Sequence, residues 1–285
     1  MSGDVPSLKE LLGEVIIEVE LGADVDMTRI QPLLDEYGSA IVRGLVSPEV
    51  VERAKQRLRE RFDPAADRPA TGEHPEELHD NFQKLSIGGA EQSGTYRPRC
   101  MRTLYNPVWA EDIYGLRDAF RSMARLRNRI YGFADEFAID QIEDGFWTAA
   151  RLHHYPSGGG FLVSHRDNVV PVVQAAEGIN GYFQPILVMS RCGEGDDYDF
   201  STGGGFFEHR GERFYFEREC ELGDVVIYSG ETIHGVGDVD VHKPFRHDTV
   251  DGRLCAFVTL YRHFTRKGQL DDYIDEPTES TAGRG

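Results

Sequence analysis

The chain has 285 residues, 40% hydrophobic and 11% aromatic, which is enough for a packed core and too apolar for a disordered polymer. Its formal net charge of -18 and sequence pI near 4.9 argue against a binder of phosphate backbones, whose contact surface carries a basic field. Cys100, Cys192, Cys220 and Cys255 show no paired spacing and read as free thiols, and neither a basic leader nor an apolar run approaching the ~20 residues of a membrane span is present. The expectation is one cytoplasmic catalytic domain over 1–285, with no nucleic-acid or membrane partner.

In chain order, Ile30, Leu33 and Leu34 read as one helix ending at Gly38, and Ala40–Leu45 as a short strand. Ser47 and Pro48 read as the cap and first position of a second helix running to Phe62, with Val50, Val51, Ala54 and Leu58 facing a core. Residues 63–104 are rich in Pro, Gly and charge without a clear period, and read as a lid or binding loop. Apolar positions from Ile113 to Phe133 recur at helical intervals and place a third helix over 109–137. Residues 1–145 are thus expected to be mainly helical support and lid.

From Phe146 the pattern changes to period two. Candidate strands lie at 147–155, 160–167, 183–190, 204–209, 212–218, 224–229, 233–239 and 253–262, separated by glycine-rich or acidic turns. Eight strands in this span predict a double-sheet jelly roll over 146–262, a mainly β fold with helical additions. Segment 191–202 is a second lid candidate. Residues 263–285 form a C-terminal tail, of which 268–285 reads as solvated, Asp271, Asp272, Asp275, Glu276 and Glu279 there facing only Arg284.

The chemistry concentrates in three places. His165 and Asp167 are separated by one residue, so an extended backbone puts both side chains on one face. His234 closes a later apolar run and supplies a third ligand from a neighbouring strand, giving the two-histidine, one-carboxylate set that binds Fe(II) and leaves positions open for other ligands. Arg253 opens an otherwise apolar strand, and a buried guanidinium needs an anionic partner. A lone histidine in a β protein is ordinarily a hydrogen-bonded core or surface residue rather than a metal ligand, and His153, His154, His209, His242, His247 and His263 are read so.

His165-x-Asp167, the distal His234 and the following Arg253, in this order, resemble the Fe(II)/2-oxoglutarate-dependent dioxygenases over about 146–262. The segment Gly38–Glu49 is similar to the opening of the phytanoyl-CoA-hydroxylase-like branch. The resemblance implies a double-stranded β-helix core flanked by N-terminal helices. It also implies Fe(II) held by His165, Asp167 and His234, with 2-oxoglutarate and O2 as co-substrates. Arg253 then takes the distal carboxylate of 2-oxoglutarate, with Arg246 as the alternative at the customary spacing, because 238–251 resembles an inserted loop. Tyr155, Gln184 and Cys255 are candidate co-substrate contacts, and Tyr182 and Tyr228 further pocket groups.

The carboxylate at position 167 disfavours halogenation, because halogenating members carry a small residue there. The expected reaction is hydroxylation or a related C–H oxidation of a small, polar, amine-bearing metabolite, releasing succinate and CO2. A cupin-like metal-dependent isomerase or oxygenase without 2-oxoglutarate, and a non-catalytic jelly-roll binding protein, are the other readings. His165-Arg166-Asp167-Asn168 also matches a kinase catalytic loop, but the glycine-rich loop, strand lysine and Asp-Phe-Gly of a kinase are lacking.

Overall fold

The computed structural model describes residues 15–21, 24–69, 80–88, 99–167, 182–209 and 211–262. Their elements in chain order are β1 (Ile16–Glu18), α1 (Met27–Tyr37), β2 (Ser39–Arg43), α2 (Pro48–Arg61), β3 (Asp67–Pro69), β4 (Phe82–Gly88), β5 (Arg99–Tyr105) and α3 (Arg117–Tyr131), followed by β6 (Phe146–Pro156), β7 (Leu162–His165), β8 (Phe183–Val188), β9 (Gly204–His209), β10 (Glu212–Tyr215), β11 (Val225–Ser229), β12 (Ile233–Gly237) and β13 (Gly252–Arg262).

From β6 onward successive strands distribute between two sheets. β11, β8, β13 and β6 lie side by side in the larger one, and β10, β9, β12 and β7 form the smaller. This is the expected jelly roll. The larger sheet is extended by β2 and β1 at one edge and by β5, β4 and β3 at the other.

Two cores explain why the strands of the larger sheet read as almost continuous apolar runs. Leu152, Leu254, Ala256 and Val258 face outward and pack with Phe120, Met123 and Leu126 of α3 and with Val51, Ala54 and Leu58 of α2. Tyr155, Val188, Tyr228, Cys255 and Phe257 face inward and meet Phe207, Phe216 and Val236 across the barrel. The longest ladder joins β6 and β13, from Gly252 opposite Pro156 to Arg262 opposite Phe146.

Helix ends follow local chemistry. Asp26 caps α1 by accepting from Thr28 N at 2.9 Å, and Gly38 ends it at φ 68°. Pro48 sits in the first turn of α2, and the Ser47 carbonyl accepts from Val50 and Val51. α3 is shorter than the predicted 109–137. The Asp112 carboxylate accepts from the backbone of Gly115, Leu116 and Arg117, holding 112–116 in a turn, and Gly132 closes the helix at φ 77°.

The described part of 63–104 is not a lid but strands β3, β4 and most of β5, so the described part of 1–145 is mixed rather than mainly helical. Arg102, fully buried, anchors β3 by donating to both carboxylate oxygens of Asp67 at 2.8 and 2.7 Å. Residues 70–79 and 89–98 lie outside the described residues, as does the 263–285 tail. The predicted strand 212–218 stops at Tyr215 and turns into a 3-10 segment, Phe216–Arg218. Segment 191–202 is tied down: Asp199 pairs with Lys55 at 2.8 Å, and Asp240 accepts from the backbone of Ser201 and Thr202. No helix among the described residues is long and apolar enough to cross a membrane.

Candidate metal centre and its cavity

β7 and β12 pair antiparallel with His165 opposite His234, so both rings point into the barrel, with centroids 4.3 Å apart. Asp167 follows β7 by two residues, and its backbone N–H is fixed on the Gly230 carbonyl at 3.2 Å. His165 Nε2 lies 3.9 Å from Asp167 Oδ1 and His234 Nε2 lies 3.8 Å from Oδ2. These separations are too long for hydrogen bonds, yet one ligand atom from each residue falls within 4.8 Å of the others, as donors around a shared ion do.

The surroundings fit a divalent metal. Each imidazole uses Nδ1 on a backbone carbonyl two residues earlier, His165 on Val163 at 2.8 Å and His234 on Thr232 at 2.9 Å. That bond puts the proton on Nδ1 and leaves the Nε2 lone pair facing Asp167. Asp167 Oδ2 is buried without a hydrogen-bond partner. Burial raises the Asp167 carboxyl to about 6 and pushes the His234 imidazole down to about 4. An ion bound here would answer the orphaned oxygen and offset the cost of burying it.

Behind the triad a cavity of about 140 Å³ runs between the two sheets. Arg151, His153 and Tyr155 enter it from β6, and Arg253 enters from β13 opposite Tyr155. Arg253 already has a protein anion. Its Nε donates to Glu217 Oε1 at 2.6 Å, and the two side chains are 2% and 1% exposed. Glu217 Oε2 accepts from Gly205 N at 2.7 Å, and Arg253 Nη1 donates to Cys255 Sγ at 3.2 Å. The anionic partner that a buried guanidinium needs is thus present within the protein, supplied by the 3-10 turn after β10.

The other predicted residues divide clearly. Gln184 lines the cavity, its Oε1 accepting from Tyr182 Oη at 2.7 Å and from Thr259 Oγ1. Tyr228 packs against His234, with centroids 4.4 Å apart. Arg246 does not reach the cavity: its side chain is 60% exposed, pairs with Asp248, and lines a separate groove with Arg59 and Tyr198. His154 is a buried hydrogen-bonded residue, bridging Arg102 Nη1 and the Asp251 carbonyl, and His242 and His247 are surface residues. The side chain of His209 and the whole of His263 lie outside the described residues.

Arg151, His153 and Glu217 are the groups that the sequence reading overlooks. Period two along 147–155 puts 151, 153 and 155 on one face, and that signal was sufficient to bring the first two to the cavity. Glu217 carries no such signal, because the chain leaves the strand before reaching it.

No protein-family model and no curated protein matches the sequence. Solved structures do. A 2OG-Fe(II) oxygenase family oxidoreductase from Burkholderia pseudomallei is similar at 16% identity over 87% of this chain and 95% of that one, with a TM-score of 0.41. A prolyl-4-hydroxylase from Pseudomonas putida is similar at 17% identity over 81% and 96%, TM-score 0.46. A prolyl hydroxylase from Trichoplax adhaerens, in complex with a hypoxia inducible factor peptide fragment, is similar at 10% identity over 81% and 86%, TM-score 0.46.

Proposed function

We propose that the chain is an Fe(II)- and 2-oxoglutarate-dependent oxygenase that oxidises a small polar metabolite. The observation that carries this reading is the His165, Asp167 and His234 set facing a buried cavity that also holds Arg253. Two neutral imidazoles and one carboxylate are the donor set of non-haem iron sites that keep coordination positions for other ligands.

Charge supports the co-substrate. Among the described residues, Arg151 and Arg253 are balanced by Asp167 and by Glu217 behind the cavity wall, so the protein's own buried charges cancel. A divalent ion and a dianionic acid cancel in turn, which is what a poorly hydrated site requires. Bound iron with 2-oxoglutarate supplies oxygen activation coupled to decarboxylation, yielding succinate and CO2. The chain's residues hold and orient: the histidines present Nε2, Glu217 fixes Arg253 by its Nε, and the Nη end remains for the distal carboxylate. Phe207, Tyr228 and Phe257 wall the site and keep water from it.

An outer groove of about 430 Å³ shares Phe207 with the cavity and is flanked by Asp35, Glu208, Glu231 and Arg166. Its acidic excess supports an amine-bearing substrate. The pairing of Arg253 with Glu217 favours one second reading, a metal-dependent isomerase or oxygenase that does not use 2-oxoglutarate, in which the arginine is structural. Anaerobic Fe(II) loading followed by calorimetric titration with 2-oxoglutarate, and then succinate assay in air, separates the two. Stoichiometric binding and succinate release are expected. Iron uptake with no affinity for 2-oxoglutarate would overturn the first reading in favour of the second.

A further inference from the structure

His153 faces the cavity from the middle of β6, with Arg151 on one side along the strand and Tyr155, opposite Arg253, on the other. Arg151 Nε donates to His153 Nε2 at 3.1 Å. A guanidinium N–H can only donate, so Nε2 carries the lone pair and the ring proton sits on Nδ1. Nδ1 is buried and has no hydrogen-bond partner. The ring cannot turn freely to find one, since it is held against Phe257 with centroids 4.4 Å apart. Burial and the guanidiniums of Arg151 and Arg253 keep the imidazole neutral, well below the usual histidine range.

A buried donor left unanswered is costly and is recovered only when an acceptor arrives. The register says which acceptor. His153 stands opposite Cys255, the residue whose Sγ accepts from Arg253 Nη1, so the fork of Arg253 leans along β13 toward the place of His153 in the ladder. We propose that His153 is a ligand-binding residue: its Nδ1–H donates to the same carboxylate that the Nη end of Arg253 receives, with Arg151 acting as a positioning residue that fixes the tautomer. On the functional reading above, on which this rests, that carboxylate is the distal one of 2-oxoglutarate.

The test is calorimetric titration of the Mn(II)-loaded protein with 2-oxoglutarate, a readout independent of turnover. His153→Phe keeps the ring volume and removes the donor, and should weaken binding by about tenfold or more, the effect of losing one hydrogen bond to a charged group. His153→Asn places an amide N–H near the Nδ1 position and should recover affinity to within about threefold of the starting protein. Affinity for 2-oxopentanoate, which has the same chain length and no distal carboxylate, should not change in either variant. Equal binding by His153→Phe and the unaltered protein, or equal loss in both variants, would overturn the inference while leaving the functional reading intact. An unaltered protein that takes up Mn(II) but not 2-oxoglutarate would overturn both.

Discussion

Glu217 Oε1 sits 2.6 Å from Arg253 Nε in a site where neither side chain is more than 2% exposed. The carboxylate comes from a turn and the guanidinium from a strand start, so the pair ties the smaller sheet's β10 end to the floor of the cavity. Removing one member strands the other charge in a low-dielectric site, which costs about 3–5 kcal/mol. Glu217→Ala and Arg253→Ala should therefore each lower stability in denaturant titration by that order. The double variant Glu217→Leu/Arg253→Met should recover most of it, yet bind 2-oxoglutarate at least roughly tenfold more weakly than the unaltered protein. Arg246→Ala should leave both quantities unchanged within measurement error, because it and its partner Asp248 are both well solvated. Full 2-oxoglutarate affinity in the double variant would assign Arg253 a purely structural role.

Each of His165→Ala, Asp167→Ala and His234→Ala should abolish iron retention and succinate production while circular dichroism stays native-like. Each removes one of three donors from a site that sits at the end of the cavity rather than in the main core. His242→Ala, at an exposed position, should retain both metal and turnover. Metal analysis after gel filtration reads the outcome, and loss of iron from His242→Ala alone would refute the ligand set.

The fully buried His154 imidazole is pushed down to about 4, chiefly by burial. A histidine whose folded value lies below its unfolded value near 6.5 binds fewer protons when folded. Its contribution is intact above about 6.5 and is lost as pH falls toward 4, amounting to on the order of 3 kcal/mol. Unfolding free energy measured from pH 7 to pH 4 should fall more steeply in the unaltered protein than in His154→Asn, whose amide oxygen still accepts from Arg102. Parallel profiles would show that this ring is not the acid-sensitive group.

Asp67 and Arg102 make a similar prediction for the segment that the sequence presents as a lid. Asp67→Asn should destabilise the fold by about 3–5 kcal/mol, since it leaves a fully buried guanidinium with only neutral acceptors, the amide oxygen, His154 and a backbone carbonyl. A mobile lid would tolerate the change within about 0.5 kcal/mol, as surface substitutions do.

The proximity of His165 and Asp167 was legible because it is local: one intervening residue in an extended chain brings the two side chains together. The jelly roll was legible because its strands alternate or run apolar between glycine turns. β4 and β5 escaped notice because their buried positions include Lys84, held over the Phe82 ring, and Arg102, paired with Asp67, polar residues buried by charge and aromatic contacts rather than by apolarity. The boundaries of α3 were misplaced because hydrophobic period persists through 109–116, where the Asp112 carboxylate captures the backbone donors that a helix start would need. The buried, unpartnered Nδ1 of His153 was not legible, because nothing in one dimension reveals an unanswered donor.

The pairing of β6 with β13 and of β7 with β12 joins segments from opposite ends of the jelly roll. Contacts so distant along the chain are entropically expensive and form late, after the intervening hairpins have shortened the loops between them. The three candidate metal ligands therefore do not exist as a set until the barrel has closed, and a metal could not template the chain as it does in a zinc finger. On the proposed function, iron loading is a final maturation step on a finished scaffold. Refolding rates measured by stopped-flow fluorescence should be the same with and without Fe(II), while the unfolding rate alone slows when the ion is present.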